Sequence, residues 1–164
     1  MRKTTLIIFF MTFFCFQHIA ALGDSLTDGK KRAKNEDKPM VVYFFSKDCP
    51  YCKQMERDVL KDKEIANSLN KDVVYTTIDV DKRTDIANAY GVWGFPTTLL
   101  LESTGKRIAQ IPGYIGKNDF KMILSYLKGK HYKTMGLGEF LEEASAGRKT
   151  QRPRHCCHVI YNAG

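Results

Sequence analysis

The chain has 164 residues, long enough for one domain with a proper core and too short for two comfortable ones. Its composition, 43% hydrophobic and 27% charged, excludes a fibrous or wholly disordered class. The net charge of +8 is concentrated at the ends: Arg2 and Lys3 carry two of the charges and Arg148, Lys149, Arg152 and Arg154 four. Residues 4–147 are left with +2, so no nucleic-acid partner is expected.

Arg2 and Lys3 precede an almost continuous apolar run, Leu6 to Phe16, followed by the small residues Ala20, Ala21 and Gly23. This is the layout of a secretory signal peptide over residues 1–22. The run is shorter than the roughly 20 residues that span a bilayer, so no stable membrane insertion is expected once it is removed. Cys15 lies inside this segment behind the bulky Phe14, where a lipidated cysteine needs a small neighbour, and is read as lost with it. The expected location is periplasmic or otherwise exported, where disulfides persist.

Residues 23–38 are polar and lysine-rich, a leading helix or a mobile arm. A domain is expected over 39–130. Met40 to Phe45 is an apolar, β-branched and aromatic run typical of a strand buried on both faces. Pro50 suits the first turn of a helix running through Lys53, Met55, Val59 and Leu60 toward Ile65 and Leu69. The charged stretch Arg57 to Glu64 reads as its solvated face. Val73 to Val80 is a second strand, and Thr84 to Tyr90 a short helix stopped by Gly91. Thr97 to Leu101 and Arg107 to Ile111 form a hairpin around Ser103–Lys106. Phe120, Ile123, Leu124 and Leu127 make a helical stripe in Lys117 to Leu127. The order β-α-β-α-β-β-α implies an α/β fold, a central mixed sheet of about four strands flanked by helices. Residues 131–147 form a C-terminal extension with a small helix, Leu137 to Ala146. Residues 148–164 are a basic tail without periodic apolar pattern, expected to be disordered.

Cys49-Pro50-Tyr51-Cys52 carries the chemistry. Two cysteines three apart on a helix lie one turn apart on one face, near enough to bridge. A helix N-terminus offers free N–H groups and partial positive charge, which favour a thiolate at Cys49. Lys47 and Lys53 add positive charge and Asp48 opposes it. Cys49 is therefore the attacking thiol and Cys52 the resolving one. A CxxC pair alone also fits a structural disulfide or half a metal site. The buried strand before it and the helix it opens favour disulfide exchange, because they supply the thiolate stabilisation.

His155-Cys156-Cys157-His158 offers four soft ligands, yet zinc sites separate their pairs by a loop, and no metal role is assigned to it. His131 is read as a surface residue. No P-loop, dinucleotide fingerprint or Ser/His/Asp set is present, so no cofactor is implied. A copper-binding chaperone using Cys49 and Cys52, and an interaction module with an inert disulfide, are the alternatives to an enzyme.

Phe44 to Lys53 resembles the active-site segment of the thioredoxin superfamily. Ile78-Asp79-Val80-Asp81 resembles the strand end that follows, and Tyr90 to Thr97 the segment holding the cis-proline. Gly105-Lys106 with Pro112-Gly113 fits the final hairpin. The resemblance covers residues 39 to 128, and the flanking segments look most like exported thioredoxins of the SoxW or DsbD C-terminal type. It implies a thioredoxin fold and a cis Pro96 against the cysteine pair, with Phe95, Trp93 and Tyr51 bordering a groove for an extended substrate segment. Pro50 and Lys53 are supporting residues. Phe95 either narrows that groove or packs beneath it, while Trp93 and Tyr51 either contact substrate or pack. The implied partners are protein disulfides and a membrane thiol–disulfide electron donor, and the protein is expected to be a monomer. Three departures concern the proton path and redox poise: Tyr43 stands where thioredoxins carry a buried acid, Tyr75 replaces the accompanying lysine, and Asp48 replaces a tryptophan. Pro50-Tyr51 is the glutaredoxin dipeptide. Oxidases of the DsbA kind carry a helical insertion for which Asp81 to Gly94 is too short, so protein-disulfide reduction is the expected activity, with a disulfide-forming oxidase of the same fold as the alternative.

Overall fold

The computed structural model describes residues 26–150. Residues 1–22, expected to be a signal peptide and including Cys15, and the tail residues His155 to His158 lie outside them.

Four strands form one sheet: β1 (Met40–Phe45), β2 (Val74–Asp79), β3 (Thr97–Leu101) and β4 (Arg107–Pro112), in the order β2-β1-β3-β4. β1 is central, parallel to β2 from Met40 opposite Val74 and antiparallel to β3 with Tyr43 opposite Thr98. Alternate side chains of a strand point to opposite faces. A strand covered on both sides is buried at every position, as the first five residues of β1 and all of β3 are, with Thr97 and Thr98 the polar members of β3.

On one face Val41, Tyr43 and Leu100 pack under α2 (Pro50–Met55), α3 (Lys63–Lys71) and α5 (Lys117–Lys128), which contribute Met55, Ile65, Leu69, Phe120, Ile123 and Leu127. On the other, Met40, Val42, Phe44, Leu99 and Leu101 meet Leu26 and Ala33 of α1 (Leu26–Glu36) and Ala87 of α4 (Thr84–Tyr90). Each fully buried aliphatic side chain stabilises the fold by about 1.5–3 kcal/mol. No helix among the described residues is long and apolar enough to cross a membrane.

The polar leading segment is a helix rather than a mobile arm, because Leu26, Gly29 and Ala33 lie one turn apart and face the sheet. A Cβ on Gly29 would come within 2.7 Å of Thr76 Oγ1 and 2.6 Å of the Met40 methyl, so α1 sits close to the sheet. α4 ends at Gly91, which takes the left-handed conformation (φ 66°) that a side chain resists.

Two expectations are corrected. The helix after Pro50 does not run unbroken to Leu69: α2 passes into a π-helical turn, Glu56–Leu60, and the chain restarts as α3 at Lys63. Asp62, read as part of a solvated helix face, is the reason. It adopts extended backbone angles, accepts the Glu64 and Ile65 N–H groups at 3.1 and 3.3 Å, and pairs with Lys117 at 3.0 Å. The terminal helix is also longer than expected: α6 spans Leu137–Thr150, taking in the first three residues assigned to a disordered tail. It is held by packing that a periodic scan of its own sequence cannot show. The Phe140 ring lies 5.2 Å from Tyr126 and 4.9 Å from His131, and Leu137 packs on the α5 side of the core.

Replacing Asp62 with Ala is expected to lower the urea midpoint of unfolding, and Asp62→Asn, which keeps a capping oxygen but loses the charge facing Lys117, to recover most of the loss. Equal midpoints for the Ala variant and the wild type would remove the cap as the cause of the helix break.

Candidate active site

β1 ends at Phe45 and α2 starts at Pro50, so the four residues between them deliver Cys49 to the N-cap of the helix. Cys49 has extended backbone angles (φ −79°, ψ 113°) and its sulfur accepts the Cys52 N–H at 3.2 Å. An N-cap side chain ordinarily satisfies one of the orphan amides of the first turn with oxygen; here sulfur does so. Pro50 occupies the first helical position, where no N–H is needed. The Cys49 thiol also donates to the Phe95 carbonyl at 3.4 Å. The Phe95–Pro96 peptide bond is cis, Pro96 is buried, and its carbonyl accepts the Gly113 N–H at 2.7 Å. The first thiol is thus clasped between a helix end and the segment opening β3.

Both cysteines are free thiols with different surroundings. Cys49 is half-buried, whereas Cys52 is 1% exposed and faces the core. Burial, reinforced by the hydrogen bond with Cys49, pushes the Cys52 thiol up to about 11. Beneath it the Tyr43 hydroxyl donates to the Cys52 carbonyl at 3.4 Å. Burial pushes the Tyr43 phenol above its ordinary range, and the nearby Cys52 and Glu56 add to the shift. Tyr75 is raised by burial and then by Glu56. Both phenols keep their protons at neutral pH.

The loop before Cys49 is held from across the sheet. Asp81, just past β2, accepts the Lys47 N–H at 2.9 Å and the Ser46 hydroxyl at 3.2 Å, and those bonds hold its carboxyl below the usual range. Ser46 in turn accepts the Cys49 N–H at 3.3 Å. This clamp was not legible in the sequence: the partners are 34 and 35 residues apart, and Asp81 reads only as a strand end.

Trp93 is 83% exposed and Tyr51 63%, so neither is a packing aromatic. Phe95 is half-buried and packs, as Ile86 and Tyr90 do, against the α1–α4 core. Pro50 and Lys53 are exposed on α2. His131 is a surface residue whose ring lies tilted against Phe140. Tyr114, passed over in the sequence, is a third exposed aromatic; it follows Gly113, whose amide meets Pro96. Among the described residues no group of three or more His, Cys, Asp or Glu is placed to hold a metal ion.

A family model described as a thioredoxin-like domain matches residues 26–128. Thioredoxin-1 of Drosophila yakuba is 33% identical over 90 residues, which cover 54% of this chain and 80% of that protein. Protein disulfide isomerase-like 1-1 of Arabidopsis thaliana is 31% identical over 96 residues, covering 57% of this chain and 19% of that protein. The chain therefore spans about a fifth of the length of the disulfide isomerases it matches. Among solved structures, the reduced C-terminal domain of Neisseria meningitidis DsbD aligns with a TM-score of 0.54 at 24% identity, covering 62% of this chain and 93% of that one, a likeness of fold.

In the reduced protein, iodoacetamide at about pH 8 is expected to label Cys49 and spare Cys52, whose thiol, titrating near 11, is about one part in a thousand ionised there. Mass mapping of the labelled cysteine across a pH series checks this, and equal labelling of both at neutral pH would contradict the assigned burial.

Proposed function

The chain belongs to the thioredoxin-like family, and on that premise we propose that it is an exported thiol–disulfide oxidoreductase that reduces disulfides in proteins. The observation that carries this reading is the placement of Cys49: half-buried at the rim, its sulfur receiving a helix amide at 3.2 Å, with a second, core-facing thiol one turn behind.

The steps follow from that placement. The Cys49 thiolate attacks one sulfur of a client disulfide; a Cys49–client bond forms, the client bond breaks, and the other client sulfur leaves as a thiolate. Cys52 then loses its proton and attacks Cys49, forming the Cys49–Cys52 disulfide and releasing the second client thiol. The client gains two electrons and the cysteine pair is oxidised by two. A membrane thiol–disulfide carrier restores the dithiol, since the chain is assigned no cofactor. Pro50 starts the helix that directs the Cys52 amide at the attacking sulfur, and Lys53 is exposed in the next turn of that helix, open to an approaching client. Exposed Trp93 and Tyr51 border the approach, and Phe95 with Pro96 forms its wall against an extended client segment. Such main-chain docking reads many clients weakly.

Two observations support the finer points. Only α4 lies between β2 and β3, which leaves no room for the helical insertion of DsbA-type oxidases and favours reduction. The basic head Arg2-Lys3 and the apolar run Leu6 to Phe16 favour export.

Cys49→Ser is expected to abolish insulin reduction and Cys52→Ser to trap mixed disulfides with clients; full insulin reduction by the Cys49→Ser protein would overturn the assignment. A reduction potential near about −270 mV supports the reductase direction, and one near about −120 mV reverses it.

A further inference from the structure

Resolution of a mixed disulfide requires the Cys52 sulfur to carry negative charge as it attacks, yet this sulfur belongs to a residue 1% exposed. Water cannot solvate that charge, so the protein must supply donors. Groups from three elements act on it, β1, the loop after it and the start of α2, and Glu56 and Tyr75 stand behind them. The loop after β1 contributes the Ser46 N–H, and the start of α2 the Cys49 sulfur. Glu56, at the beginning of the π-helical turn, is one helical turn beyond Cys52, and its N–H binds the Cys52 carbonyl. β1 contributes Tyr43, whereas Tyr75 of β2 feels Glu56 and not the Cys52 thiol. Glu56 is negative and opposes a second negative charge. Cys49 is tied up in the mixed disulfide at this step. The Ser46 amide and the Tyr43 hydroxyl remain as donors.

The Tyr43 hydroxyl lies 3.4 Å from the Cys52 carbonyl, a long bond that is easily exchanged, and it is close enough to the Cys52 thiol for each to shift the other's titration. A hydroxyl rotates to suit its acceptors. We propose, building on the exchange reading above, that Tyr43 is a catalytic residue whose O–H turns from the Cys52 carbonyl to the Cys52 sulfur as the thiolate forms, and so sets the rate at which mixed disulfides are resolved. It acts as a donor and never as a base: burial and the neighbouring negative charge keep its proton in place. The proton of Cys52 itself leaves to solvent buffer, the Cys52–Cys49 bond forms, and the Cys49–client bond breaks with its electron pair on the departing sulfur.

An aromatic disulfide reagent that releases a coloured thiolate separates the two steps in one stopped-flow trace. A first phase reports attack by Cys49, and a second reports resolution by Cys52. In Tyr43→Phe, which keeps the ring in the core, the first phase is expected to match the wild type. The second is expected to slow about ten-fold at neutral pH, recovering as pH rises. Tyr75→Phe, which removes the neighbouring hydroxyl, is expected to leave both phases unchanged. A wild-type second phase in Tyr43→Phe at every pH, or equal slowing in Tyr75→Phe, overturns the proposal. Should Tyr43→Phe fail to fold, fluorotyrosine at position 43, a stronger donor of the same shape, is expected to speed the second phase, and no change overturns it. Absence of the first phase in the wild type would instead overturn the exchange reading itself.

Discussion

The hydrogen bond from the Cys52 amide to the Cys49 sulfur depends on one geometric constraint: β1 must stop, and α2 must begin, within four residues over the C-terminal end of a central strand. The sheet order β2-β1-β3-β4 puts β1 between two neighbours. Asp81 at the end of β2 can then hold Ser46 and Lys47 on one side of the loop, while Phe95 before β3 meets the sulfur on the other. Remove either neighbour and the helix end loses one of the two contacts that orient it. The chemistry is local, but its geometry comes from residues about thirty-five and forty-six positions away along the chain.

The layer below the pair is neutral where the family pattern would place charge. A buried carboxylate and lysine cost several kcal/mol each to desolvate and regain it only with well-satisfied partners. Tyr43 and Tyr75 avoid that cost. They fill the volume with aromatic surface, Tyr43 stacking near Phe45 at 6.0 Å, and leave polar edges for the few groups that need them. Glu56, half-buried at the start of the π-helical turn, brings the negative charge that both phenols feel. π-Helical turns are frequent at functional sites, and this one reseats the chain directly behind the turn that carries Cys52.

The strands and the helix Thr84–Tyr90 were legible because their signals are local: β-branched and aromatic runs, a glycine stop, a hairpin turn. Cys49 and Cys52 were legible for the same reason, as was the thioredoxin resemblance carried by Gly94-Phe95-Pro96-Thr97. Asp62 as a helix start was missed because it sits inside an unbroken stretch of charge, where a capping residue looks like any solvated one. The docking of α1 depends on Gly29 lying against Met40 and Thr76, and α6 on Phe140 meeting Tyr126; neither contact has a sequence period to show it. The surroundings of Cys52 divide in the same way. Tyr43 stood out as a departure from a family pattern, but its hydroxyl's position against Cys52 is a property of the packed core.

Trp93 is the chain's sole tryptophan, and it is 83% exposed, two residues before the carbonyl that meets Cys49. Its intrinsic emission therefore reports on the water at the rim of the site rather than on the core. Denaturation changes its surroundings little, so the usual optical readout of unfolding is nearly blind in this protein. A segment settling over the groove would instead strip water from the indole and move its emission to shorter wavelength, giving the site a built-in optical probe of occupancy.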